Sequence, residues 1–392
     1  MDINKPIELI HDVQKRLWVE RVNQARVAGH ITSWISSLHP EKLECRLDCN
    51  FLNGSYNLCQ KLRFCDGNTW LLRMPIIGSV CDEYADEKIA MEVEVLSLLR
   101  DSNVPVPGII AWGLTAANLL GLGPYIVMDF IEGVSVNTLL WQQHNTRLLR
   151  DDICDDDVKF LYRQFARILL QLFQIDFPVL GSLPTPVTGF NAPVRPLTFK
   201  AHDILQTGGV DTFAQTTSLW SGWWISNGRT PAPWWLLQDR LNNYDTFLDK
   251  EEAPRVLGRY LRNLDVFKTV LEEEEARMPG QQAMELSRLV KHSEESGSMW
   301  LHMLLSWGFN HPDSLPFTQL QARLGPERWK ELEEGHHGKE AREFTERKLA
   351  ELDRYDEMVE RMECLQDDVE SGKMTIEAFV AVLRESNGFG KA

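Results

Sequence analysis

The chain has 392 residues, 43% of them hydrophobic and 25% charged, so it is long enough to bury the cores of one large or two ordinary domains. Its net charge of −16 argues against binding to nucleic acid or to an anionic membrane surface, because both need a basic footprint. The sequence has no apolar run of transmembrane length and no secretory leader, and its seven cysteines are scattered. These features favour a cytoplasmic protein with reduced thiols and no structural metal site.

The first third of the chain is predicted from hydrophobic spacing. Apolar residues at helical spacing indicate a helix within residues 6–38, which belongs to a predicted N-terminal helical extension, residues 1–50. Two strands, over 51–64 and 70–74, are predicted to be joined by a hairpin at Asp66-Gly67, since this dipeptide tolerates positive φ.

A helix and another strand follow the hairpin. Apolar positions on one face predict a helix over 87–100, which the prolines of the Val104–Pro107 run bring to an end because proline cannot continue a helix. The next strand is predicted over 125–131 and ends at Gly133. The mixed-β region therefore spans residues 51–133.

After Gly133 the pattern becomes helical. A helix is predicted over 157–176, a tryptophan-dense stretch occupies 220–235, and the charged C-terminal segment is helical in composition. We expect the tryptophans to pack in a core or interface rather than around a ligand. The predicted domains are a helical region, 134–326, and a charged helical tail, 327–392, whose surface could receive a protein partner although a solvated tail is the simpler interpretation.

Three features of the mixed-β region match the requirements of a kinase small lobe. A glycine turn must let backbone amides approach the phosphates, a cation on the next strand must neutralise them, and an acid on the following helix must hold the cation. Here Gly54 lies in a turn between strand-like segments, Arg73 ends a strand, and Glu92 lies in the predicted helix.

The order and spacing of these motifs resemble the aminoglycoside phosphotransferase and choline kinase-like family, especially its fungal members. The motifs are Gly54-Ser55-Tyr56-Asn57, Leu72-Arg73-Met74-Pro75, Glu92 with the Val-Pro-Val-Pro run, and the strand that ends Met128-Asp129-Phe130-Ile131-Glu132-Gly133. The similarity covers residues 50–185 well and later residues only at 177–183, 208–210 and 231–237.

The resemblance implies an α+β fold class, namely a protein-kinase-like bilobal fold with a small mixed-β N-lobe and a mainly helical, truncated C-lobe. It implies ATP as the bound nucleotide, a small hydroxylated metabolite as phosphoryl acceptor, and Mg²⁺ if the protein is catalytically active. Arginine in place of the usual kinase lysine keeps the charge with a different geometry. The implied nucleotide-binding residues are Gly54, Ser55, Tyr56, Arg73, Glu92, Met128 and Phe130, with Glu92 as the ion-pair partner of Arg73.

The catalytic motifs of that family are not found. Its His-Gly-Asp loop, the asparagine five residues after the aspartate and a later metal-binding aspartate position the nucleophile and the metal. The nearest candidates here are His311-Pro312-Asp313, which has Thr318 in place of the asparagine, His202-Asp203 and Asp176-Phe177. None fits the pattern, so the catalytic residues are not assigned.

The truncation is placed at residues 225–230, because the family has a long catalytic segment between the stretches that flank it here. Either the catalytic core has been lost or the gene model has omitted it. Two functions therefore remain: an active phosphotransferase in which Asp203 or Asp313 is the base, and a kinase-like module that binds a nucleotide or a partner without catalysis. A non-kinase interaction protein built on the acidic tail is the least favoured, because it leaves residues 51–133 unexplained.

Overall fold

A computed structural model describes residues 5–54, 56–77, 85–102, 104–140, 150, 152–175, 183–191, 253–279, 284–307, 314–336, 339–375, 378–379 and 381–382. They form an α+β fold, which confirms the predicted class at that level. The described residues divide into two compact units. The first contains those up to 132, residues 183–191 and those from 347 onward; the second contains residues 133–175 and 253–346.

The first unit contains an antiparallel sheet and helices. Its strands follow the order β1-β3-β4-β6-β5, and β2 also pairs with β3. The elements are α1 (Lys5–Val27), α2 (His30–Leu38), β1 (Cys45–Leu47), β2 (Leu52–Asn53), β3 (Asn57–Phe64), β4 (Thr69–Pro75), α3 (Ala85–Asp101), β5 (Ile109–Gly113), a 3-10 turn (Thr115–Ala117) and β6 (Tyr125–Asp129).

The hairpin between β3 and β4 lies where the Asp66-Gly67 pair predicted it. Gly67 adopts a φ of 92°, and the Asp66 carboxylate accepts a hydrogen bond from the Asn68 backbone N–H at 2.9 Å. The helical segment before the sheet is divided into α1 and α2 at Gly29, whose φ is 75°. Glycine adopts this left-handed conformation without the Cβ clash that other residues incur.

The sheet is covered on both faces. Alternate residues of β3 and β4 are buried, as expected for strands whose two faces meet different surroundings. One face packs against α1 and α2 through a core that includes Trp18, Ile31 and Leu62. The other face packs against α3, where Ile89 and Val93 contact β6. The sheet with α3 on this second face is the scaffold of the candidate site.

The second unit is helical in its described part. Its elements are α4 (Val136–Leu140), α5 (Asp155–Phe173), α6 (Ala253–Arg277), α7 (Glu285–Ser296), α8 (Ser298–Trp307), α9 (Leu315–Leu324), α10 (Pro326–His336) and the start of α11 (Lys339–Glu370). The five helices from α5 through α9 share one apolar core, which includes Tyr162, Tyr260, Phe267 and Trp300. None of the helices in the described ranges is long and apolar enough to cross a membrane.

The hydroxyl of Tyr260 is a weak point of this core. Its oxygen is buried and has no hydrogen-bond partner among the described residues, and burial raises the pKa of the phenol well above its usual range. An unsatisfied buried hydroxyl keeps its desolvation penalty. Tyr260→Phe is therefore expected to raise the free energy of unfolding by about 1 kcal/mol.

Urea unfolding of the two proteins measures this difference. Phe267→Leu, a change in the same core that removes only apolar contacts, is the control and should lower the free energy of unfolding by about 1 kcal/mol. A loss of stability in Tyr260→Phe would show that the hydroxyl makes a stabilising hydrogen bond.

Candidate functional site

Arg73 lies on the sheet face that packs against α3. On β4 it is paired with Cys59 of β3 and with Ile126 of β6, so it is near the middle of the sheet. Residues that are directly opposite each other in neighbouring strands share a face. Arg73, Cys59 and Ile126 therefore point to the same side, towards α3, which carries Glu92.

Glu92 forms an ion pair with Arg73: the guanidinium Nη1 donates a hydrogen bond to carboxylate Oε1. Both side chains are partly buried, with 29% of Arg73 and 19% of Glu92 exposed. The sequence resemblance implied this pair, and the structure contains it. Since one guanidinium nitrogen is engaged by Glu92, the fork is held in a fixed direction while other N–H groups remain for a second acceptor.

The glycine turn forms the connection between β2 and β3. The Gly54 N–H donates to the carbonyl of Asn57 at 3.0 Å, and the carbonyl of Tyr56 accepts from the Ile76 N–H at 2.9 Å. A Cβ at Gly54 would have only an ordinary contact, 3.5 Å from the Asn57 oxygen, so packing within the chain does not require glycine here. Ser55 lies outside the described residues, and the Tyr56 side chain is 56% exposed.

Met128 and Phe130 have different surroundings. Met128 is buried, and its side chain packs with Ile89 and Val93 in the core beneath α3. Phe130 follows β6, extends its pairing by donating its N–H to the Thr69 carbonyl at 3.1 Å, and remains partly exposed. A ligand at this position would therefore meet the Phe130 ring, whereas the Met128 side chain is enclosed by protein.

A charged network holds the segment that follows β6. The Lys61 ammonium lies 4.1 Å from the centroid of the Phe130 ring, 2.7 Å from the Glu132 carboxylate and 3.1 Å from that of Asp48. Hydrogen bonds from Arg63 and then from Lys61 lower the pKa of Asp48 to about 2. Lys61 was not predicted as a site residue, although its place on a strand face beside Arg63 could have suggested a role.

Three carboxylates fix the position of α3. Besides Glu92, Asp86 accepts hydrogen bonds from the N–H and hydroxyl of Thr115, both at 2.7 Å. Glu94 is buried and accepts from the backbone of Val187 and from the N–H and hydroxyl of Thr188. The helix is therefore tied to three separate parts of the first unit, which keeps Glu92 facing Arg73.

Lys88 is a third charged group beside the Arg73–Glu92 pair and was missed in the sequence. It lies one helical turn before Glu92, and its ammonium is 5.8 Å from the centroid of the Tyr56 ring. The pKa of Lys88 is lowered from its usual value, mainly by burial. The positive charge of Arg73 lowers it further, while the negative charge of Glu92 opposes the shift. Lys88, Arg73 and Glu92 thus form a cluster of two cations and one carboxylate, in which Lys88 lies near the Tyr56 ring.

No known family model matches the chain, and a search of curated proteins finds no relative. The resemblance to aminoglycoside phosphotransferases therefore rests on the sequence motifs alone.

The structure does not describe the candidate catalytic residues. His202, Asp203, His311, Asp313 and Asp176 lie outside the described residues, as do residues 208–237 with the tryptophan-dense stretch. In the described ranges, no group of three or more His, Cys, Asp or Glu side chains could hold a metal ion. Thr318, which lies five residues after Asp313 in the sequence, is in the first turn of α9, and its hydroxyl donates to the Leu315 carbonyl at 2.9 Å.

Proposed function

We propose that the first unit is the nucleotide-binding lobe of an aminoglycoside-phosphotransferase-like protein with a protein-kinase-like bilobal fold. The proposed reaction transfers a phosphoryl group from ATP to the hydroxyl of a small metabolite in the cytoplasm. The Arg73–Glu92 ion pair carries this proposal. It connects β4, the central strand of the sheet, to α3. The β3 residue opposite Arg73 is Cys59, two residues after Asn57, where β3 begins.

The chemistry of the pair supports phosphate binding. A guanidinium held by a carboxylate presents its remaining donors in a fixed plane, and that geometry suits phosphate oxygens. The lobe has a second feature that a nucleotide needs. Ile131, just after β6, is exposed, and its backbone makes no hydrogen bond to another described residue. Its N–H and C=O groups are therefore available to hydrogen-bond the edge of an adenine ring.

The proposal predicts that ATP raises the melting temperature and that Arg73→Ala abolishes the rise. An ATP concentration of about 100 times the dissociation constant should raise the free energy of unfolding by about 2.7 kcal/mol. The measurement is thermal unfolding with and without ATP, and Arg100→Ala is the control, because it removes an exposed arginine from the end of the same α3. A rise of the same size in Arg73→Ala would contradict the assignment of Arg73.

A second function, nucleotide binding without catalysis, is favoured by the sequence, in which the family's His-Gly-Asp loop and metal-binding asparagine are not found. Titration of Mg²⁺ in the presence of ATP separates the two functions. An active phosphotransferase is expected to bind ATP far more tightly with Mg²⁺ and to lose turnover in Asp203→Ala or Asp313→Ala, whereas the inactive module binds ATP equally well without the metal.

A further inference from the structure

Lys88 of α3 has a buried ammonium group. Its Nζ is inaccessible to solvent, and no described residue accepts a hydrogen bond from it. Withdrawing an ammonium group from water is costly unless the lost hydrogen bonds are replaced. The Tyr56 ring replaces little of that loss, because its centroid is 5.8 Å from Nζ, close to the limit of about 6 Å for a cation–π contact.

The charge around Lys88 is unbalanced. Among the described groups whose charges act on Lys88, Arg73 is a second cation and Glu92 is a carboxylate that is already the partner of Arg73. This local excess of positive charge stands in a chain of net charge −16. Lys88 as a whole is only half-buried, so its flexible side chain can turn the ammonium outward to meet an anion.

A second buried polar atom lies on the Arg73 face of the sheet. The Asn57 side-chain oxygen is buried and accepts no hydrogen bond from a described residue. Asn57 begins β3, and the alternation of the strand puts it on the same face as Cys59, which pairs with Arg73. A ligand that offers phosphate oxygens as acceptors and hydroxyl groups as donors would match both unpartnered atoms, and a nucleotide is of this kind.

We propose that Lys88 is a second phosphate-binding cation, which acts beside Arg73 and near the Tyr56 ring. The ammonium donates to a phosphate oxygen of the nucleotide, while Arg73 contacts the same polyphosphate from the strand. This inference rests on the proposed function, since it assigns a further contact to the same nucleotide. It also explains why α3 holds a buried lysine one turn before Glu92.

The proposal predicts opposite effects of Lys88→Met on stability and on binding. Removing an ammonium without a hydrogen-bond partner should leave the melting temperature of the ligand-free protein unchanged or higher. Losing a charged hydrogen bond should weaken ATP binding on the order of 10- to 100-fold. Binding of adenosine, which lacks phosphates, should change little. Isothermal titration calorimetry with ATP and with adenosine measures both affinities, and Lys88→Arg, which keeps a cation, should retain most of the ATP affinity.

Lys15→Met is the matched control, because it removes one positive charge from an exposed position of α1 and should leave both affinities unchanged. If the wild-type protein binds neither ATP nor adenosine, the proposed function fails, and this inference fails with it. If that protein binds ATP and Lys88→Met binds it equally well, only the role of Lys88 is overturned. A Lys88→Met protein that does not fold would also contradict the proposal, because the ammonium would then have a structural partner.

Discussion

Replacing Glu275 by alanine is expected to lower the free energy of unfolding of the second unit by about 3 kcal/mol. Glu275 is 0% exposed, and its carboxylate accepts hydrogen bonds from the backbone N–H groups of Leu286 and Ser287, both at 2.9 Å, and from the Ser287 hydroxyl. The first N–H groups of a helix have no partner within it. At α7 the side chain of the N-cap residue, Met284, accepts no hydrogen bond from them.

Glu275, on α6, thus caps a helix that does not cap itself. Alanine would leave two backbone donors and one hydroxyl buried without their acceptor. It would also leave a cavity where the glutamate side chain was. Hydrogen exchange of the Leu286 and Ser287 amides, together with urea unfolding, measures the effect on this unit.

Glu273→Ala is the control for Glu275, because it removes the same charge from an exposed position of the same acidic run. Its ion pair with Arg163 is a surface pair, and such pairs contribute about 0–1 kcal/mol. Equal losses in the two variants would mean that Glu275 acts only through its charge, as an ordinary member of the run, and not as a cap.

Local sequence signals predicted the elements that are defined by local physics. The Asp66-Gly67 turn was located correctly because its conformation depends on the two residues themselves. The helix predicted over 87–100 is found at Ala85–Asp101, because one continuous face of it is apolar.

Elements defined by distant partners were missed. β5 (Ile109–Gly113) shows no alternation of buried and exposed residues, and its register with β6 shifts between Ile109 and Ala111. β1 is only three residues long and lies at the edge of the sheet. In such strands the pairing partner, rather than the local pattern, decides that a strand forms.

The same distinction applies to individual charged residues. Glu275 and Glu273 are two of four consecutive glutamates, and no property of that run indicates which of them is buried. Lys88 likewise reads as an exposed helix lysine until the sheet and the Tyr56 turn are in place. Arg73 and Glu92 were found because a resemblance to a family supplied the long-range information.

Trp18→Ala is expected to lower the free energy of unfolding of the first unit by about 3–5 kcal/mol, because it empties a large buried volume. Trp18 is 1% exposed in the core between α1 and the sheet, and its indole N–H donates to the Leu122 carbonyl at 2.8 Å. Residues 1–50 were predicted as an extension that precedes the nucleotide-binding lobe. In the structure α1 and α2 form one side of the core of the first unit.

Val27→Ala is the control for Trp18, since Val27 lies at the end of the same α1 and is 84% exposed, and it should change the stability by no more than about 0.5 kcal/mol. Urea unfolding followed by hydrogen exchange of the β3 and β4 amides reports on the sheet itself. If Trp18→Ala frayed α1 but left the sheet amides protected, residues 1–50 would be a separable extension after all. Loss of protection in the strands would instead show that the Arg73 strand depends on the N-terminal helices, and nucleotide affinity should then fall with the stability of the sheet.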